Sequence, residues 1–99
     1  MKSVSIIIPY YKKRKFIKKT IDSIKLQTYK NFEVIIVYDD EDHSDLLFIN
    51  KITKNDNRIR LIINKKSLGA GRSRNIGISK AKANFIAFLD ADDLWKKIK

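Results

Sequence analysis

A chain of 99 residues with 43% hydrophobic and 10% aromatic content has the material for one small core, and its single Pro and three Gly exclude a disordered or repetitive polymer. It has no Cys, which excludes disulfides and thiolate metal sites, and its formal net charge of +11 draws polyanions of any kind: nucleic acid, anionic lipid or nucleotide phosphate. The excess is mostly Lys spread along the chain, without the aromatic interleaving of a single-strand binder, so no specific nucleic-acid partner is expected.

Val4-Ser5-Ile6-Ile7-Ile8 reads as a β-branched strand that Pro9 should stop. With Lys12-Lys13-Arg14-Lys15 following, the apolar run is too short for a signal peptide or a membrane span, and a cytoplasmic location is the expectation. Phe16, Ile17, Thr20, Ile21, Ile24 and Thr28 then recur at helical spacing, predicting an amphipathic helix that ends near Thr28 to Lys30. Phe32 to Tyr38 is a second strand, nearly continuous in apolar residues as a parallel interior strand should be, and it runs into Asp39, Asp40, Glu41 and Asp42.

Asp42 or Ser44 can cap a helix carrying Leu46, Leu47, Ile49 and Ile52. Arg58 to Ile63 is a shorter, half-alternating third strand suited to a sheet edge. Leu68-Gly69-Ala70-Gly71 opens a third helix through Ala81, in which Gly77 costs about 1 kcal/mol relative to Ala and so implies close packing on the sheet. Asn84 to Leu89 is a fourth strand, its stretch from Phe85 expected to be buried on both faces, and it ends in Asp90-Ala91-Asp92-Asp93.

The order β-α-β-α-β-α-β predicts an open parallel sheet of the α/β class, with right-handed crossovers and helices on both faces. Ligands of such sheets sit outside the carboxyl ends of the strands. Pro9-Tyr10, Asp39-Asp40 and Asp90 to Asp93 all fall on that rim. Clustered carboxylates repel unless a cation joins them, and hard cations such as Mg²⁺ or Mn²⁺ take one or two carboxylates, with water and phosphate completing the shell. Asp90-x-Asp92 is therefore a candidate metal and diphosphate station, the alternative being that Asp92 or Asp93 caps a helix beginning at Leu94. Asp39 can accept hydrogen bonds from a base or ribose, and Arg72 and Arg74 lie early in a helix, where an anion is favoured. Arg74 stands where the third glycine of a dinucleotide fingerprint belongs, and the lone His43 excludes a histidine-centred hydrolase or zinc site.

With these residues in place, the chain resembles the N-terminal, nucleotide-sugar-binding half of a family 2 glycosyltransferase of the GT-A fold. The matching text is Val4 to Tyr11, Ile24 to Phe32 with its Gln27-Thr28-Tyr29, Arg74-Asn75-x-Gly77, and Phe85 to Trp95. The resemblance implies a three-layer α/β/α, Rossmann-like sheet of strand order 3-2-1-4 over residues 1–99. It further implies inverting transfer of a sugar from a nucleoside diphosphate, a UDP-sugar foremost, with Mn²⁺ or Mg²⁺. By position, Asp92 looks like the metal ligand, Asp90 lies nearer the ribose or donor sugar, Asp39 looks like the base-contacting acid, Pro9 and Tyr10 line the base, and Arg74 lies near the base or phosphates.

The chain departs from the family's usual Val-Asp-Asp-Gly-Ser by reading Val37-Tyr38-Asp39-Asp40-Glu41, a shift that can give Asp40 the role assigned to Asp39. Family members continue well past the position of Lys99 into the acceptor site and the general base, so no catalytic residue is assigned here. The chain alone is expected to be inactive, with the fourth strand exposing an apolar edge for self-association. The alternative is a non-catalytic nucleotide-binding or interaction module of the same fold. A peripheral position on an anionic membrane face is compatible with the charge.

Overall fold

A computed structural model describes residues 3–27 and 30–92. Four strands, β1 (Val4–Tyr10), β2 (Phe32–Tyr38), β3 (Ile59–Ile63) and β4 (Phe85–Phe88), form one parallel sheet in the order β3-β2-β1-β4, as expected. Between them run α1 (Arg14–Lys25), α2 (Leu46–Thr53), entered through a 3-10 turn at His43–Asp45, and α3 (Ala70–Lys80). Alternation along the central strands divides the molecule into layers. Ile6, Ile8 and Tyr10 of β1, with Val34, Ile36 and Tyr38 of β2, pack against Ile17, Ile21 and Ile24 of α1 and Ile49 of α2. α3 covers the other face, against β1 and β2.

β1 does not stop at Pro9. Val4 N–H donates to Asn31 and Tyr10 C=O accepts from Asp39, so even-numbered residues of β1 bond toward β2; Ile7 C=O accepts from Leu89, so odd-numbered ones bond toward β4. Pro9 faces the β4 side, one step beyond the last paired residue, Ile7, and its missing N–H therefore costs no ladder bond.

α1 ends at Lys25, with the Leu26 N–H bonded to the Asp22 carbonyl and the Gln27 N–H to the Ile24 carbonyl, earlier than its apolar spacing suggested. The expected continuation to Thr28, with Tyr29, lies outside the described residues, as do Asp93, the helix considered at Leu94, and Trp95. Asp42 caps the 3-10 turn that leads into α2, its carboxylate accepting the Ser44 N–H at 3.0 Å, and not α2 itself, whose N-cap position is Asp45 without a side-chain bond. Leu47 is not a core residue: Ile49 and Thr53 set the buried side of α2 and turn it outward.

β4 departs most from expectation. Phe85, Ile86 and Phe88 are 49%, 42% and 49% exposed, so the strand is not buried on both faces. It lies at the sheet edge, paired with β1 alone among the described strands, and α3 lies over β1 and β2 rather than over it. Only at Leu89 and Ala91 does this segment join the core.

Gly77 bears out the close-packing reading. A Cβ there would be driven into Cγ2 of Ile7, a fully buried side chain in mid-strand that cannot retreat. Gly77→Ala gains about 1 kcal/mol of helix propensity against about 1–3 kcal/mol of overpacking. The expected outcome is a net loss of stability, read as a lower urea midpoint at unchanged m-value. Adding Ile7→Ala, which removes the clashing Cγ2, should leave the double variant less destabilised than the sum of the two single losses.

Candidate functional site

The carboxyl ends of β1, β2 and β4 and the start of α3 meet on one rim, and the sequence-predicted residues divide there into two groups. The first is buried and structural. Asp39, 3% exposed, follows β2 and receives the backbone N–H groups of Leu68 and Gly69 at 2.7 and 2.9 Å, the Asn64 amide at 2.9 Å and the Ser67 hydroxyl at 3.4 Å. A carboxylate has about four acceptor positions, and all are committed to the β3–α3 loop. Burial opposes its ionisation, but the four donated bonds outweigh that and hold its carboxyl below the usual range.

The clamp sets the loop that delivers α3. Gly69 sits at φ +91°, a conformation that disfavours a side chain, and its carbonyl accepts the Ser73 N–H. The Asn64 amide also donates to the fully buried Ser73 hydroxyl at 3.2 Å, fastening the loop to the helix. Asp40, also buried, accepts the Asp42 N–H at 3.0 Å.

Tyr10 belongs to this structural group and does not line the rim pocket. It is fully buried on the α1/α2 side of the sheet, stacked on Tyr38 with ring centroids 5.2 Å apart, and its hydroxyl donates to Asp45 at 2.7 Å. Burial and that carboxylate push its phenol far above the usual range. The reason is parity: Tyr10 shares the face of Ile6 and Ile8, and the side chain that reaches the rim is its neighbour Tyr11.

The second group lines an open pocket of about 270 Å³ formed by Pro9, Tyr11, Lys13, Ala70, Asp90, Ala91 and Asp92. Here Asp90 and Asp92 come together, with Pro9 beside them as expected. Arg74 Nη2 lies 3.4 Å from Asp90 and Lys13 Nζ lies 3.5 Å from Asp92, so among the described residues each carboxylate faces one cation. Asp92 is held in place from below, because the neighbouring Ala91 is buried and its carbonyl accepts the Thr20 hydroxyl at 2.8 Å. Two partly exposed carboxylates on an open pocket are a donor set that fits a hard cation taking its remaining ligands from water and phosphate.

Sequence reasoning did not find Tyr11, Lys13, Asn64, Ser67, Ser73 or the Tyr10–Asp45 bond. For Asn64 and Ser67 a signal existed: polar residues directly after a strand and before a glycine-opened helix, where a loop needs local acceptors and donors.

Comparison with known proteins places this geometry. The family model described as "Glycosyl transferase family 2" matches residues 5–99. A glycosyltransferase of Rickettsia felis is 44% identical over 96 residues, which are 97% of this chain and 16% of the relative. The Escherichia coli enzyme WfgD, named UDP-Glc:alpha-D-GlcNAc-diphosphoundecaprenol beta-1,3-glucosyltransferase, is 40% identical over 93% of this chain and 36% of its own length. The Staphylococcus aureus TarS structure in complex with UDP-GlcNAc superposes with a TM-score of 0.84 at 29% identity, covering 95% of this chain and 27% of that one. The mannosyltransferase PcManGT of Pyrobaculum calidifontis, solved with GDP-Man and Mn²⁺, superposes at 0.85 over 93% of this chain and 28% of that one; at 22% identity it speaks for the fold alone. The chain thus spans about a sixth to a third of the length of these relatives, and its sheet is that of the GT-A glycosyltransferase domains.

Asp39→Asn puts an NH₂ group against N–H donors and is expected to cost about 1–3 kcal/mol in urea unfolding near neutral pH. Hydrogen exchange at the Leu68 and Gly69 amides should rise with it. Because the folded carboxyl lies below the ordinary 3.8, its contribution is present above that pH and is lost as pH falls through the lower folded value. The gap between variant and parent should therefore narrow in acid; a gap constant down to acid unfolding contradicts the clamp.

Proposed function

Because the chain belongs to glycosyl transferase family 2, we propose that it supplies the donor-binding part of an inverting glycosyltransferase, holding a nucleoside diphosphate sugar with Mn²⁺ or Mg²⁺. The observation that carries the reading is the rim pocket, in which Asp90 and Asp92 face Pro9, Tyr11, Lys13 and Ala70 at the carboxyl ends of β1 and β4. Such a pocket can seat a flat base against Pro9 and Tyr11 and a diphosphate against the acidic pair.

In this reading Asp92 holds the divalent ion and Asp90 lies toward the ribose or sugar. When bound, the ion supplies charge neutralisation for the diphosphate leaving group. Lys13 and Arg74 are placed to act on the same charge from the protein side. As negative charge builds on the departing diphosphate, each can turn from its carboxylate to a phosphate oxygen, a gain realised only as the bond breaks. Asp39, with its acceptor positions occupied, steadies the loop; Asp40, the alternative register seen in the sequence, is itself buried and bonded to the Asp42 N–H, so contact with the base rests on Pro9 and Tyr11 in this reading.

The whole protein's acceptor and its activating base are not assigned to any residue here. A UDP-sugar is the first donor to test, since TarS is described with UDP-GlcNAc and WfgD is named for UDP-Glc. WfgD's named acceptor is lipid-linked, which keeps a peripheral membrane location on the cytoplasmic side within the same proposal.

Isothermal titration of the folded chain with UDP and with GDP, each with and without Mn²⁺, tests the reading. Metal-dependent binding of at least one of them is expected. Asp92→Asn should lose the metal-dependent part, a weakening of tenfold or more, or about 1.4 kcal/mol. No metal-dependent binding of either nucleotide by a folded sample overturns the proposal.

A further inference from the structure

We propose that the outer surface of the α1/α2 layer docks on an anionic lipid bilayer. α1 buries Ile17, Thr20, Ile21 and Ile24, so its opposite stripe, spaced by three and four residues, carries Lys15, Lys19 and Leu26. α2 buries Ile49 and Thr53, and its opposite stripe carries Leu47, Lys51 and Lys54. Both helices cover the same face of the sheet, with the Arg14 guanidinium 4.5 Å over the Phe48 ring between them, so the two stripes form one outer surface. Asp22 adds an acid to the α1 stripe but is paired with Lys18 at 2.8 Å, which leaves the surface strongly positive.

Charge alone would suit any polyanion; the apolar residues choose among them. Leu26 and Leu47 are 79% and 82% exposed, the two most exposed large apolar side chains among the described residues, and both stand in these lysine stripes. A nucleic-acid backbone offers isolated leucines nothing, since its phosphates want hydrogen-bond donors and its bases are read by polar or stacking groups. A bilayer accepts both kinds of residue: lysines keep their ammonium groups among lipid phosphates along extended apolar stems, and leucines enter the boundary of the acyl region. The face is also free to dock, because the rim pocket opens at the N-terminal end of α1, beside Lys13, and stays uncovered.

The proposal does not depend on the donor-site reading, and co-sedimentation of the full chain with vesicles tests it. Binding to phosphatidylcholine vesicles containing phosphatidylglycerol, and not to phosphatidylcholine alone, is expected. Lys15→Ala, Lys19→Ala and Lys51→Ala should each weaken it about fivefold, the equivalent of ~1 kcal/mol for one lysine near an anionic surface, and the three combined should remove most of it. Leu26→Ser with Leu47→Ser should remove the part of binding that survives raised salt. The control is Lys66→Ala, Lys80→Ala and Lys82→Ala together, exposed lysines around α3 on the opposite side whose removal lowers net charge equally. That set should leave vesicle binding nearly intact. Equal loss from the two lysine sets, absence of vesicle binding, or binding to duplex DNA in preference to the mixed vesicles overturns the proposal.

Discussion

β1 and β2 are buried on both faces, and a strand so buried can carry polar side chains only at its ends or where a partner is ready for them. That constraint organises the molecule. The apolar runs Ile6 to Ile8 and Val34 to Val37 leave no place for an acid inside the sheet, so the acids gather after it, where parallel pairing lines the strand ends up. The same pairing brings segments about 50 residues apart in sequence, after β2 and after β4, to a common rim. Functional chemistry is concentrated there because the interior excludes it.

The rim is then built in two tiers by the same type of group. Asp39 spends its negative charge on the β3–α3 loop and becomes part of the frame, while Asp90 and Asp92 remain partly exposed, each facing a single side-chain cation among the described residues. The difference is in what each environment supplies. Backbone N–H groups pointing at Asp39 cannot be exchanged for a ligand without opening the loop, whereas the lysine and arginine tips facing Asp92 and Asp90 can swing away at little cost. A rigid tier beneath an exchangeable one gives a site that is shaped before a ligand arrives.

The element types and their order were legible in the sequence, because parallel interior strands announce themselves as unbroken β-branched runs and the helices between them by three- and four-residue spacing, while the sheet order came from the family resemblance. The rim location of Pro9, Asp90 and Asp92 followed from topology alone. What was not legible depends on three-dimensional parity and pairing. Tyr10 and Tyr11 look alike in sequence, yet one step along a strand separates a stacked core tyrosine from a pocket wall. Pro9 extends β1 because its partner strand ends first, a fact about β4 and not about Pro9. The edge position of β4 was expected from the strand order, but its composition is that of a strand buried on both faces, and composition cannot report that its faces are left half exposed.

The net charge of +11 also separates once the fold is known. Lys13 and Arg74 act over 3.4–3.5 Å on particular carboxylates; these pairs are partly exposed, so salt weakens them, but what they respond to is whether another group takes the place of the partner. Lys15, Lys19, Lys51 and Lys54 face open solvent from two parallel stripes and act through a summed field that decays within about 10 Å at 0.1 M salt. One residue type thus has two physical roles: a close counter-charge that tracks the state of the pocket, and a distributed one that depends on what large surface lies nearby. Replacing Asp90 or Asp92 separates them, because it removes the partner of the first and leaves the summed field of the second almost unchanged.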